Sequence, residues 1–142
     1  MIVTDDYVKQ EIQSLWPDLS KDRFWARNQK YVLPSLNELQ TSAANCPVDL
    51  PIIMGFSECE LFALGLQYKI KKQWVLSEPQ EQYPWAFGDF IALKQTMLGQ
   101  TVHTACFCLT SDAGIQIIEP MQQNSIKAAD TEKYELFFIN LM

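Results

Sequence analysis

One stretch constrains this chain more than any other: SECELFALGLQYKIKKQW, residues 57–74. Ser57 followed three residues later by Glu60, ahead of an apolar run, is the signature of a capping box at a helix start. With Ser57 as N-cap, Cys59 takes the second helical position. There the first amides are unpaired and the helix dipole is positive, so a thiolate is favoured. Phe62, Ala63, Leu66 and Ile70 then fall on one face, as in a helix lying against a sheet. The flanking acids Glu58 and Glu60 oppose the thiolate. The helix terminus offers only about 0.3–1 kcal/mol, so the cysteine needs a cationic partner: the imidazolium of a histidine, or a divalent cation held by the two carboxylates. Hard oxygen ligands of that kind suit calcium.

The remaining elements follow from patterning. Residues 4–16 read as a helix capped by Thr4, with Tyr7, Ile12, Leu15 and Trp16 as its apolar stripe, stopped at Pro17. Residues 18–30 are read as a second short helix or a loop. The chain is extended through Leu33 and Pro34, and Ser35 with Glu38 forms a second capping box. Residues 41–51 are rich in breakers and residues 52–56 make a short apolar approach to Ser57. Residues 75–88 read as a surface loop, and residues 90–93 as either a strand or a helical turn. Residues 101–109 and 115–119 are strands joined by a turn at residues 111–114, the second ended by Pro120. Residues 134–141 form a last strand. Helices first and an antiparallel sheet afterwards define an α+β fold in one globular unit, with residues 1–30 as a helical extension packed on a domain of residues 31–142.

Composition excludes several functions. A net charge of −6 and pI near 4.7 argue against a nucleic-acid surface. The small basic cluster Lys69, Lys71 and Lys72 complements the C-terminal dipole of the central helix. Hydrophobic content of 48% argues against long disorder, and no apolar run approaches the roughly 20 residues needed to span a bilayer. The N-terminus is polar and acidic, without a secretory pattern. Cys46, Cys59, Cys106 and Cys108 lack the density of a disulfide framework, and Cys106 and Cys108 share a strand face. The expectation is a reduced, cytoplasmic protein whose partners include neither nucleic acid nor membrane; its oligomeric state is open, a dimer included.

His103, the only histidine, lies in the strand of residues 101–109. If the following hairpin loop has an odd number of residues, His103 and Glu119 share a face within side-chain reach; an even loop separates them. Cys59, His103 and Glu119 then have the chain order of a cysteine-nucleophile triad, with thiol, base and orienting carboxylate. The bland alternatives are a core histidine, an inert cysteine and a strand-ending acid.

The string from Glu58 to Ala63 resembles the D-C-D-x-F-A nucleophile motif of the papain-like domain found at the C-terminus of the Marasmius oreades agglutinin and its relatives. Residues 116–120, QIIEP, resemble that family's apolar-apolar-Glu-Pro motif, and residues 31–39 are similar to its segment before the helix. His103 follows Cys59 by 44 positions and Glu119 follows His103 by 16, close to the family spacing. The resemblance covers residues 31 to about 141. It implies a papain-like fold, a Cys-His-Glu triad on Cys59, His103 and Glu119, and calcium-dependent cysteine peptidase activity on a peptide or protein substrate. It also implies a stand-alone domain of the kind carried by bacteria and phages. Glu58 and Glu60 are the corresponding metal ligands. Leu61 stands where the family carries a further acid, and Val102 where it carries a glycine. The oxyanion donor is open among Gln40, Asn45 and Gln100. The competing expectation is a non-catalytic papain-like module, viral or bacterial, that binds or inhibits a host protein through residues 78–90, with Tyr83, Trp85, Phe87 and Phe90 at the contact.

Overall fold

The strand that carries His103 is buried on both faces over most of its length, and the architecture follows from that. The computed structural model describes residues 1–50, 58–79 and 82–142. The elements run β1 (Ile2–Thr4), α1 (Asp5–Leu15), β2 (Phe24–Ala26), β3 (Lys30–Val32), α2 (Leu36–Ala44), α3 (Glu58–Leu76), β4 (Phe87–Thr96), β5 (Gly99–Thr110), β6 (Gly114–Glu119), β7 (Ser125–Ala128) and β8 (Tyr134–Leu141). Short 3₁₀ turns occupy Lys21–Arg23 and Pro120–Gln122. The main sheet has six strands in the order β2-β8-β4-β5-β6-β7; β1 and β3 form a separate antiparallel pair.

β5 is buried from Thr104 to Thr110 without interruption. A strand with both faces apolar needs a cover on each side. Ala105, Phe107 and Leu109 face Val8, Ile12 and Trp16 of the α1 region. Cys106 and Cys108 face Leu39 of α2 and Ala63, Leu66 and Ile70 of α3. The helices therefore divide between the two faces. Burying an aliphatic side chain such as Leu66 stabilises by about 1.5–3 kcal/mol. The face of α3 read from sequence is the buried one, with Gln67 added.

The expected antiparallel sheet is corrected to a mixed one. β2 runs parallel to β8, with Phe24 opposite Ile139 and Ala26 opposite Leu141. Residues 1–30 are thus more than a helical extension: they supply an edge strand as well as α1. Trp16 Nε1 donates to the Tyr134 carbonyl at 2.8 Å, tying the end of α1 to the start of β8.

Local signals were read well where the side chains act on their own backbone. The Tyr7 amide donates to the Thr4 hydroxyl at 3.2 Å, capping α1. Ser35 and Glu38 form the full capping box at α2, which runs on to Ala44 into the stretch read as a connection. The box at Ser57 and the approach of residues 52–56 lie outside the described residues. Residues 90–93 are strand, inside the ten-residue β4. Phe87 and Phe90 are fully enclosed, so the aromatic contact surface expected at residues 78–90 is corrected: those two rings are core. They are buried because each face of β4 is covered by helix: Phe90 clusters with Val8, Ile12 and Trp16 on the α1 side, and Phe87 with Leu39, Ala63 and Leu66 on the α2–α3 side. β7 was not expected; it is four residues long and gains its identity from pairing Ser125 with Glu119. No helix among the described residues is long and apolar enough to cross a membrane.

Candidate active site

Thr110 pairs with Gly114, leaving three residues in the β5–β6 loop. Gly114 has φ 67°, the left-handed conformation that closes a three-residue hairpin, and the Thr110 hydroxyl donates to its carbonyl at 2.7 Å. The odd loop keeps odd-numbered residues of both strands on one face. Cys106 lies opposite Ile118, so one step further the register sets Glu119 diagonal to His103. The two side chains meet: His103 Nε2 is 2.7 Å from Glu119 Oε2. Their side chains are only 13% and 8% exposed.

A carboxylate can only accept, so Nε2 carries the proton and donates. In the neutral imidazole Nδ1 is then the acceptor nitrogen; it makes no hydrogen bond among the described residues. The other carboxylate oxygen is held twice more. Tyr134 donates its hydroxyl to Glu119 Oε1, and Lys94 Nζ lies 3.3 Å from the same atom. Lys94 and Tyr134 sit directly opposite each other across β4 and β8. Tyr134 also stacks against the imidazole, with ring centroids 6.4 Å apart and planes inclined by 28°. Burial by itself would raise the Glu119 carboxyl. The hydrogen bonds from His103 and Tyr134, with the charges of His103 and Lys94, outweigh it and hold the group below the usual range. Burial, and then the hydrogen bond and charge of Glu119, push the Tyr134 hydroxyl well up, so it stays a neutral donor. Sequence reasoning missed Lys94 and Tyr134. The available signal was weak: a lysine and a tyrosine at strand ends that only the β4–β8 pairing brings together.

Cys59 is the second residue of α3 and is half-buried. It opens onto a cleft of about 530 Å³ lined by Glu58, Glu60, Asp89, Val102, Thr104 and neighbouring apolar groups. Val102 and Thr104 belong to the face of β5 that looks toward α3; His103, which lies between them, shares its face with Ala105 and Phe107 on the α1 side and does not line this cleft. No hydrogen bond joins its thiol to the imidazole among the described residues. Gln40, Asn45 and Gln100 do not line this cleft. Asp89 does. Burial raises its carboxyl above the ordinary range, and the charge of Glu60 adds to that. The hydrogen bond from the Asn140 amide, at 2.9 Å, pulls the other way.

Glu58 and Glu60 share the cleft with Asp89, yet among the described residues no three His, Cys, Asp or Glu side chains are arranged to hold a metal ion. That donor set falls short of the roughly six to eight oxygens calcium takes. The other three cysteines are buried, and all four are free thiols. The thiols of Cys106 and Cys108 are driven up by burial, which keeps them protonated and inert.

No family model matches this chain, and no curated protein matches it in sequence. Solved structures do match in three dimensions. One is the PSL1a–E64 complex, with a TM-score of 0.74 and 14% identity, covering 99% of this chain and 51% of that one. Another is the Polyporus squamosus lectin bound to the human-type influenza-binding epitope Neu5Aca2-6Galb1-4GlcNAc, with a TM-score of 0.71, 16% identity, and coverage of 99% and 49%. The chain spans about half the length of each. At such identities the likeness is one of fold.

Proposed function

We propose that the domain is a papain-like cysteine hydrolase acting on peptide or amide bonds, with Cys59 as nucleophile, His103 as base and acid, and Glu119 as the orienting carboxylate. The observation that carries this reading is the enclosed His103–Glu119 hydrogen bond, which engages Nε2 and leaves Nδ1 without a partner among the described residues, on the only histidine of the chain. In this mechanism Nδ1 takes the thiol proton as Sγ attacks the carbonyl carbon, which requires the Cys59 thiol, on the α3 side of β5, to come within reach of an imidazole that strand alternation sets on the α1 side. The imidazolium so formed is stabilised by Glu119, whose second oxygen is fixed by Tyr134 and Lys94. The same proton then passes to the leaving amine, and water hydrolyses the thioester. No step is routed through calcium, because the described carboxylates at Glu58, Glu60 and Asp89 do not complete a calcium shell. Four free thiols fit a reducing, cytoplasmic setting. A fold neighbour solved as a complex with E64 supports the choice of probe.

The test is covalent labelling with E64, an epoxide that alkylates thiolates, read by intact mass and peptide mapping. One adduct, on Cys59, is expected in the wild type, and none in Cys59→Ala or in a folded His103→Ala. Equal labelling of wild type and Cys59→Ala would overturn the reading. A second reading, a non-catalytic module that binds or inhibits a host protein, is favoured by two observations: no hydrogen bond joins Cys59 to His103 among the described residues, and the Cys59 cleft is lined by the face of β5 opposite to His103. It predicts no adduct at all.

A further inference from the structure

The two edges of β5 are unequally used. On one, every residue from Gly99 to Cys108 pairs with β4. On the other, β6 joins only at Cys106 and follows β5 to Thr110. Pro120 ends β6 there, since it has a fixed φ and no N–H to offer a ladder, and the chain turns away into Pro120–Gln122. Residues 99–105 of β5 are left with an edge that no described strand pairs. One hydrogen bond fixes which backbone groups point into it. The Leu109 amide donates to the Ala86 carbonyl at 3.0 Å, on the β4 side. The β4–β5 register runs without a shift, so odd-numbered residues of β5 turn their N–H and C=O toward β4 and even-numbered ones turn them away. Gln100 and Val102 each present both groups at the open edge.

Sheet edges are usually blunted by charge, by proline or by a bulge. This one has none of the three. Residues 95–102, QTMLGQTV, hold no charged side chain and no proline, and no bulge interrupts the pairing with β4. Met97 and Leu98 at the hairpin tip are fully exposed, and Val102 is 64% exposed. An edge of this kind takes an extended strand, held through main-chain hydrogen bonds. Its position says which strand. Val102 and Thr104 also line the Cys59 cleft, so a segment laid along β5 passes beside the thiol. Such a segment lies in the plane of the sheet, between the α3 side that carries Cys59 and the α1 side that carries His103.

We infer that the open edge of β5 at Gln100 and Val102 docks the peptide substrate as an added strand, antiparallel to β5 and on the line that β6 vacates at Pro120. The hydrolase reading supplies the name of the occupant; the docking itself does not require Cys59 to react. Main-chain pairing is tolerant of sequence. The substrate class is therefore an extended or unfolded polypeptide, neither a small amide nor the surface of a folded protein.

Amide hydrogen exchange read by NMR tests it, with casein as an unfolded polypeptide probe and Cys59→Ala as the protein, so that a bound chain is not cut. Without casein, the amides of Gln100 and Val102 should exchange freely while those of Thr101 and His103 are protected. Casein should slow exchange at Gln100 and Val102 by more than about tenfold. Val102→Pro removes an outward N–H without breaking a bond to β4, and should weaken casein binding by about tenfold. The exchange measurement needs no change at the edge, so it stands even if Val102→Pro fails to fold. Amides of Gln100 and Val102 already protected in dilute free protein overturn the inference, as does protection that grows with the protein's own concentration. So does casein that leaves them unprotected up to about 1 mM, or a folded Val102→Pro that binds casein like wild type. E64 labelling separates the two readings: casein docked on a wild type that takes no E64 adduct sinks the hydrolase alone, and an adduct on Cys59 without casein protection sinks the docking edge alone.

Discussion

His103 donates Nε2–H to Glu119 Oε2 across 2.7 Å, from a diagonal position on the neighbouring strand. The contact is created by a loop of three residues, and lengthening that loop by one would turn the two side chains to opposite faces.

If that bond sets the tautomer of His103, Glu119→Ala should slow alkylation of Cys59 by E64 at neutral pH by about 10²–10⁴-fold. Stopped-time mass spectrometry on the folded variant measures the rate. A rate within twofold of wild type would show that Glu119 has no part in activating the thiol.

Acid should unfold the protein partly through the same carboxylate. The Glu119 carboxyl is lowered in the folded state, despite burial, by its hydrogen bonds and by neighbouring positive charge. The unfolded chain therefore binds its proton first, at about pH 4.3. The stability that Glu119 supplies is complete above that pH and is lost as pH falls through the lower folded value. In thermal melts between pH 7 and pH 2, Glu119→Gln should show a shallower acid limb than wild type. Parallel limbs would count against the linkage.

Gly88 is a matter of clearance. A β carbon there would lie 2.0 Å from the Asn140 carbonyl oxygen and 3.0 Å from the Leu141 α carbon, both backbone atoms of β8. Neither can swing aside without breaking the β4–β8 pairing, so Gly88→Ala should cost about 3 kcal/mol or more. Urea unfolding monitored by tryptophan fluorescence reads this as a large fall in midpoint, and an unchanged midpoint would contradict the strand spacing.

The α2 cap gives a smaller, cleaner effect. Ser35 accepts from the Glu38 amide at 3.1 Å, and the Ser35 amide donates to Glu38 Oε2 at 2.7 Å. Ser35→Ala should cost about 1 kcal/mol, or about 3 °C in Tm. The change should leave E64 labelling untouched, since α2 packs far along α3 from its N-terminus, by way of Leu39 and Ile70.

Much of the framework was legible in the chain because it is written in local interactions. Thr4 and Ser35 cap the amides three residues ahead of them, Pro17 and Pro120 follow the elements they end, and the 3.6-residue spacing of Phe62, Ala63, Leu66 and Ile70 points to the buried side of α3. The parity argument for His103 and Glu119 was also legible, conditional on loop length. Less visible was what depends on partners distant in sequence. Residues 90–93 were ambiguous because a short apolar run suits either a buried strand or a helix. Phe87 and Phe90 looked available for contact because the helices that cover the two faces of β4, α1 over Phe90 and α2 with α3 over Phe87, are distant in sequence. β2 and β7 have three and four residues, too few to show any period.

The sequence by itself determined where the helices start, which face of α3 is buried, and which cysteine, histidine and glutamate stand in the order a thiol mechanism needs. These follow from interactions between residues a few positions apart. Only the tertiary structure decided that the helices lie on both faces of a mixed sheet, that Lys94 and Tyr134 hold the second oxygen of Glu119, and that the β5 edge at Gln100 and Val102 meets no strand among the described residues. The reason is physical: strand pairing and desolvation act between segments that the chain brings together only on folding, and no local pattern encodes which neighbour a strand edge or a helix face will meet.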